Sequence, residues 1–297
     1  MSEIFEALKK LEKDKQEEPE RNSPGIRSED RVLDSKLVSL FEPSSMVAEQ
    51  FRRLRTYIMK AGRGDAQKTI LVTSALAGEG KSLVAINLAI TIAVELHSNA
   101  LLVDCDLRNP SISRLFGFQE KKGLSNYLLG EAELPDLLIK TPVDKLSILP
   151  GGTIQDNPVE LIGSKKMKSL VDDLKTRYDD RYIILDSSPI LATTEPSVLN
   201  DMVDGILLVI KSGDTPRESV QFALSLLDKK KIMGVVLNHL ELKTKALLRR
   251  SFGTHEYYYN YRYAKLRPQL TRWQKFMALL GSMKMFFRNF RSRKKRY

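Results

Sequence analysis

Hydrophobic positions along the chain follow two alternating patterns. Between Lys68 and Asn238, five short apolar runs stand out: TILVTSA, ALLVDCD, YIILDSS, GILLVI and IMGVVLN. Runs of that length without a polar face are expected of parallel strands covered on both sides. The stretches between them, such as Leu83 to Leu96 and Glu218 to Leu227, space apolar residues three and four apart and predict amphipathic helices. Strand and helix in alternation imply repeated βαβ units, hence an α/β class with a doubly wound, mostly parallel sheet.

The pattern changes outside that region. Ile4, Phe5, Leu8 and Leu11 lie at helical spacing and predict a short amphipathic helix over 1–16. The stretch EEPERNSPGIRSEDR contains Pro19, Pro24 and Gly25 and shows no period, so a linker is expected over 17–43. A further helix is predicted after Pro43, capped by Ser44 or Ser45 and running to about Lys60. The expected division continues with the α/β domain over 44–240, a tyrosine-rich segment over 241–265 and a basic amphipathic tail over 266–297.

Composition narrows the classes. A chain of 297 residues with 42% hydrophobic residues, 16 Gly and 12 Pro has enough apolar content for one sizeable core. Cys105, the single cysteine, can form no internal disulfide, four-thiolate zinc site or iron–sulfur cluster, which fits a reducing cytoplasm. His97, His239 and His255 show no paired-ligand spacing, so a histidine metal site is not expected. The opening residues carry Glu3 and Glu6 where a secretory signal needs basic and apolar residues. The apolar stretch Phe276 to Met283 is far shorter than the ~20 residues that span a bilayer. Net charge is +11, but 239–297 holds sixteen basic residues against two acidic ones, a local +14 that leaves about −3 for the rest. The basic character belongs to the tail.

Chemistry concentrates at the ends of the apolar runs. After the first comes Ser74-Ala75-Leu76-Ala77-Gly78-Glu79-Gly80-Lys81-Ser82-Leu83, leading into a helix. This is a phosphate-binding loop in strand–loop–helix context, with Ala75 where the usual first glycine stands. Its N–H groups, from Ala77 through Leu83, can face phosphate oxygens, Lys81 can neutralise the β and γ phosphates, and the Ser82 hydroxyl can ligate Mg²⁺. The second run ends at Asp104 and Asp106, which share one side of an extended chain. The third ends at Asp186, suited to hold Mg²⁺ directly or through water. A capping role is the alternative for any one of these carboxylates, but three at strand ends beside a phosphate loop favour metal and proton handling.

SALAGEGKS, LLVDCDLR and YIILDSSP resemble the Walker A, A′ and B motifs of the bacterial tyrosine kinases, relatives of the plasmid-partition and septum-placement ATPases. The resemblance extends through SMVAEQFRRLRTYI, LFGFQEKKGLSNYLLG, NPVELIGSKKM and IMGVVLN, covering roughly 44–238. It implies a partition-ATPase-like P-loop NTPase fold using ATP and Mg²⁺. It further implies Lys81 as a catalytic cation, Asp104 and Asp106 as candidate base and metal ligands, Ser82 and Asp186 at the metal, and Arg108 completing the A′ motif. Ala77, Leu83 and Ser188 depart from the residues usual in the kinases. Leu76 stands where the partition branch carries an extra lysine, which argues toward the kinase branch.

Glu49, Arg52 and Arg55 form one stripe of the second predicted helix. In the kinases a similar stripe joins subunits into a ring, so a homo-oligomer is expected; by charge spacing alone the stripe reads as a surface ion pair. Tyr257, Tyr258, Tyr259, Tyr261 and Tyr263 place five of the ten tyrosines in seven positions. The kinases carry such a cluster as the autophosphorylated segment; aromatic stacking on single-stranded nucleic acid is the alternative, and nucleic acid is not the expected partner. Beyond it, Leu270, Trp273, Phe276, Met277, Leu280, Met283, Phe287 and Phe290 recur at helical spacing among basic residues, as in a helix lying on an anionic membrane.

The expected function is therefore an ATP-dependent protein tyrosine autokinase regulating exopolysaccharide or capsule synthesis and export, cytoplasmic and peripheral to the inner membrane. Its expected partner is a membrane-embedded polysaccharide chain-length regulator. The competing reading is a partition-type nucleotide-switch ATPase without kinase activity.

Overall fold

The computed structural model describes residues 34–61, 68–118, 122–177 and 180–240. The predicted helix over 1–16, the linker up to residue 33, the tyrosine cluster and the basic tail lie outside the described residues. In chain order the elements are α1 (Val38–Phe41), α2 (Met46–Ala61), β1 (Thr69–Ser74), α3 (Lys81–Ala93), β2 (Asn99–Asp104), α4 (Ile112–Leu115) and α5 (Leu124–Leu129). There follow α6 (Leu134–Leu137), β3 (Ile139–Lys140), β4 (Leu146–Leu149), α7 (Pro158–Ile162), α8 (Lys165–Arg177), β5 (Arg181–Asp186), α9 (Glu195–Met202), β6 (Gly205–Lys211), α10 (Arg217–Ser225) and β7 (Ile232–Asn238).

The seven strands form one sheet in the order β3-β4-β2-β5-β1-β6-β7. Every neighbouring pair is parallel except β3 with β4. All five apolar runs named from the sequence are strands of this sheet. Their side chains divide by parity between two cores. Ile70, Val72, Leu102, Ile184 and Leu207 enter one with α3 residues; Leu71, Leu101, Val103, Ile183 and Leu208 enter the other with residues of α5, α8 and α9. Covering on both faces explains why the runs of β1, β2, β5 and β6 carry no polar alternation; β7, at the sheet edge, leaves Val235 and Leu237 exposed.

Two features differ from the sequence expectation. Helix α3 was expected to be amphipathic, yet ten consecutive residues, Val84 to Ala93, are buried. The reason is a second helical layer: α2 packs on α3 and places Ile58 in the same core. The linker expected over 17–43 ends before residue 43, because the segment from Asp34 is part of the fold. Leu37 is fully buried, and Asn87 of α3 accepts the Ser39 N–H at 2.9 Å and donates to the Lys36 carbonyl at 3.2 Å. A buried amide needs such partners, and this one joins that segment to the helix following the phosphate loop. Ser45 is the N-cap of α2, its Oγ accepting the Ala48 N–H at 3.1 Å.

Candidate active site

Because β1, β2, β5, β6 and β7 all run parallel, their carboxyl ends share one edge, the edge at which open α/β sheets bind ligands. That edge carries Ser74, Asp104, Asp186, Lys211 and Asn238 in turn. The loop from Ser74 to Gly80 leads straight into α3. Gly78 and Gly80 have φ of +79° and +87°, a region that L-residues with a Cβ rarely adopt. At Gly80 space is restricted as well, since a Cβ would lie 2.1 Å from Asn238 Nδ2. The loop is tied down at its start, where Ile190 and Leu191 donate their N–H groups to the Ser74 and Ala75 carbonyls at 2.9 and 3.3 Å.

Lys81, first residue of α3, directs its ammonium into the acidic group. Nζ lies 2.8 Å from Asp106 Oδ2, 3.9 Å from Asp186 Oδ1 and 3.2 Å from Ser82 Oγ. Its pKa is raised, the attraction of Asp186 and Asp106 overcoming a desolvation that acts the other way. Asp104 and Asp186 are register partners on neighbouring strands and are both fully buried. Burial, augmented by the Asp186 charge, pushes Asp104 up to about 7 against the N–H bonds it accepts and the Lys81 charge. Burial likewise pushes Asp186 up to about 6, with the Lys81 charge opposing.

The three carboxylates are not equivalent. Asp104 Oδ2 accepts the N–H groups of Ser111 and Ile112 at 2.9 and 3.0 Å, and Oδ1 the Asp106 N–H at 3.3 Å. Asp106 holds Lys81 and accepts the Asn109 N–H at 3.2 Å. Both oxygens of Asp186 are buried without a hydrogen-bond partner. Such orphaned acceptors are costly unless a cation joins them. Together with the Ser82 hydroxyl they fit Mg²⁺, which typically takes one or two protein oxygens and fills its remaining positions from phosphate and water. No group of three or more His, Cys, Asp or Glu among the described residues is placed to hold a metal by itself.

The other expected site residues fall as follows. Arg108 is half exposed and bonds Glu195 Oε1 through Nε at 2.9 Å. Glu195, at the first turn of α9 and 1% exposed, keeps Oε2 without a partner. Glu49 and Arg52 form an ion pair at 2.6 Å on the surface of α2, Arg52 also donates to the Pro43 carbonyl at 2.6 Å, and Arg55 donates to the Thr91 carbonyl of α3 at 3.1 Å. Ser188 bonds the Thr193 hydroxyl. Sequence reasoning missed Glu195, Thr215 and Asn238, and it read Glu79 only for its backbone. Asn238, a polar residue closing an apolar strand at the same edge as the aspartates, was the one signal available for these.

Comparison with known proteins places this geometry. The ParA family model, described as "NUBPL iron-transfer P-loop NTPase", matches residues 65–256. The tyrosine-protein kinase YwqD of Bacillus subtilis is 35% identical over 212 residues, 71% of this chain and 88% of that protein. The putative tyrosine-protein kinase CapB of Staphylococcus aureus is 31% identical over 222 residues, covering 74% and 92%. Among solved structures, the kinase domain of the Escherichia coli tyrosine kinase ETK superposes with a TM-score of 0.67 at 26% identity, over 82% of this chain and 89% of that one. The chimerical protein CapA2B2 gives 0.65 at 31% identity, over 71% and 93%.

Proposed function

The chain belongs to the bacterial tyrosine-protein kinases on a ParA-type P-loop NTPase fold, and from that premise we propose that it transfers the γ-phosphoryl group of ATP to tyrosines of its own C-terminal cluster. The observation that carries the reading is the position of Lys81, whose ammonium sits between Asp106 and Asp186 at the start of the helix that follows the glycine loop.

Tyrosine is a poor nucleophile at neutral pH because its phenol has a pKa near 10, so a carboxylate must take its proton. Asp104, raised toward neutrality, is the acceptor, with Asp106 second. The phenol oxygen forms its bond to the γ-phosphorus as the bond to the β–γ bridging oxygen breaks, and ADP leaves. Lys81 and the loop N–H groups from Ala77 to Leu83 neutralise charge on the phosphates, which accounts for most of the catalysis in such a loose in-line transfer. When bound, Mg²⁺ held by Ser82 and Asp186 would draw charge from the phosphate oxygens; Asp104, its oxygens already engaged, is the weaker candidate ligand. Tyr257, Tyr258, Tyr259, Tyr261 and Tyr263 supply the phenols. Glu49, Arg52 and Arg55 join neighbouring subunits so that one chain's cluster reaches another's site. Control of exopolysaccharide or capsule synthesis and export, together with a membrane-embedded chain-length regulator and an anionic membrane surface, completes the reading. It places the protein in the cytoplasm at the periphery of the inner membrane.

The test is incubation of the purified full chain with MgATP, with phosphate mapped by mass spectrometry beside Lys81→Met. Phosphate on residues 257–263 that disappears in Lys81→Met supports the reading. ATP hydrolysis without phosphotyrosine, even with a partner peptide added, replaces it with a nucleotide-switch ATPase.

A further inference from the structure

Glu79 puts a carboxylate inside a loop meant to receive phosphate, where its charge has the wrong sign for the ligand. The residue is 2% exposed, and its side chain is fully engaged with the protein. Oε2 accepts the Leu76 N–H at 2.8 Å within the loop. Oε1 accepts the Thr215 hydroxyl and, at 3.4 Å, the Lys211 N–H. Lys211 ends β6 and Thr215 lies in the turn before α10. The Glu79 carbonyl in turn accepts Asn238 Nδ2 at 2.8 Å, from the end of β7. One residue therefore ties the loop to two strand ends that the Walker motifs do not include.

We infer that Glu79 is a positioning residue: its carboxylate fixes the arc from Leu76 to Gly80 against the Lys211–Thr215 turn, so that the loop N–H groups are arranged for nucleotide phosphates before a nucleotide arrives. The sequence alone assigns the Glu79 side chain no such part. Removing the acceptor leaves the Leu76 N–H without its side-chain partner and the Thr215 hydroxyl with the Lys211 carbonyl alone, and a loop with two residues at positive φ loses the contact that ties it to the Lys211–Thr215 turn. Nucleotide binding must then reorder the loop, and affinity falls by that ordering cost. The inference deepens the nucleotide-binding reading of this loop and does not depend on tyrosine being the acceptor.

The experiment uses the full chain and two readouts: the Kd for a fluorescent methylanthraniloyl-ADP with Mg²⁺, and the KM and kcat for MgATP in phosphotyrosine formation. Glu79→Ala should weaken nucleotide binding about tenfold, the scale of one charge-assisted hydrogen bond, and raise KM by more than it lowers kcat. Glu79→Gln should restore most of the affinity, because its carbonyl can accept from Leu76 while its amide donates to the Thr215 oxygen. Thr215→Val should give a smaller loss, about threefold, and Glu79→Ala/Thr215→Val should bind no worse than Glu79→Ala, since Thr215 acts through Glu79. Thermal melts accompany every variant. If Glu79→Ala does not fold, Glu79→Gln with near-native Kd and Thr215→Val with weakened Kd still carry the test. Unchanged Kd in Glu79→Ala or Thr215→Val, or additive losses in the double variant, overturn the inference. Kd shifts as expected in a protein that forms no phosphotyrosine leave the positioning role of Glu79 intact and remove the kinase reading.

Discussion

Asp186 shows how function and stability oppose each other within one side chain. Its carboxylate is buried with neither oxygen hydrogen-bonded, and burial holds its pKa above the usual carboxylate range, at about 6. An acid whose folded-state pKa is raised gives stability that is present below its unfolded pKa and lost as pH rises through the folded value. Nucleotide-free protein should therefore lose melting temperature between pH 4 and pH 8, with Asp104, at about 7, adding to the same slope. Asp186→Asn should melt higher than the unaltered protein at pH 8, corresponding to about 3 kcal/mol for a shift from 3.8 to about 6, and its pH slope should be shallower. The same variant should form no phosphotyrosine. Identical slopes in the two proteins would remove buried ionisation as the cause. This opposition was legible in part: Asp104, Asp106 and Asp186 could be named because acidic residues closing apolar strands in a phosphate-loop protein are conspicuous. Their unequal surroundings could not. Whether an aspartate is left orphaned, caps the Ser111 and Ile112 N–H groups, or holds Lys81 depends on which loops fold back over the sheet edge. Glu79, in a loop, and Glu195, at a helix start, escaped for the same reason, because a charged residue at such a position reads as solvated until the tertiary structure buries it.

Among the elements, legibility followed burial. Strands β1, β2, β5 and most of β6 are buried and leave unbroken apolar runs, and β7 was equally readable from its run although Val235 and Leu237 are exposed at the sheet edge. Strand β3, two residues long, and β4, four residues long, are too short to carry a period, and β3 pairs antiparallel at the sheet edge, where burial is partial. The outer layer over α3 was hidden because the sequence pattern of α2 predicts a helix without saying which element it packs on. Two predictions belong here. Gly80→Ala forces a Cβ at φ +87° into the Asn238 amide, a strain of about 1–3 kcal/mol. It should lower the melting temperature and weaken nucleotide binding together, whereas Gly213→Ala, also at positive φ but with nothing within 4 Å of its Cβ, should lower melting alone. Comparing nucleotide titrations of the two variants separates steric contact at the loop from backbone strain in general. On α2, the Glu49–Arg52 pair leaves both side chains about 40% exposed, and exposed pairs of this kind contribute ~0.2–1 kcal/mol. Glu49→Ala should thus scarcely alter melting. If the stripe joins subunits, the same change should lower the mass seen by light scattering and slow phosphorylation between chains. Unaltered mass and rate would leave only the surface ion pair.

At the scale of the whole molecule, charge is divided between two regions of opposite sign. Residues 239–297 carry a net +14 and the remainder about −3. Among the described residues no helix is long and apolar enough to cross a membrane; the basic tail offers an electrostatic route of attachment, in which each Lys or Arg near an anionic surface contributes about 1 kcal/mol. The five tyrosines of 257–263 lie inside that same basic region. Each phosphate adds roughly −1.5 to −2 at neutral pH, so complete modification offsets more than half of the tail's charge. A kinase acting on its own cluster would then lower its own membrane affinity, and the strength of attachment would track the number of phosphates carried. Autophosphorylated protein should sediment less with phosphatidylglycerol vesicles than a variant with all five tyrosines changed to Phe, and the difference should shrink as salt screens the charges. Neutral phosphatidylcholine vesicles should recover little of either form. Equal sedimentation of the phosphorylated and Phe-substituted proteins on anionic vesicles would show that the cluster's charge does not govern attachment, leaving the apolar face of the tail as the part that holds the membrane.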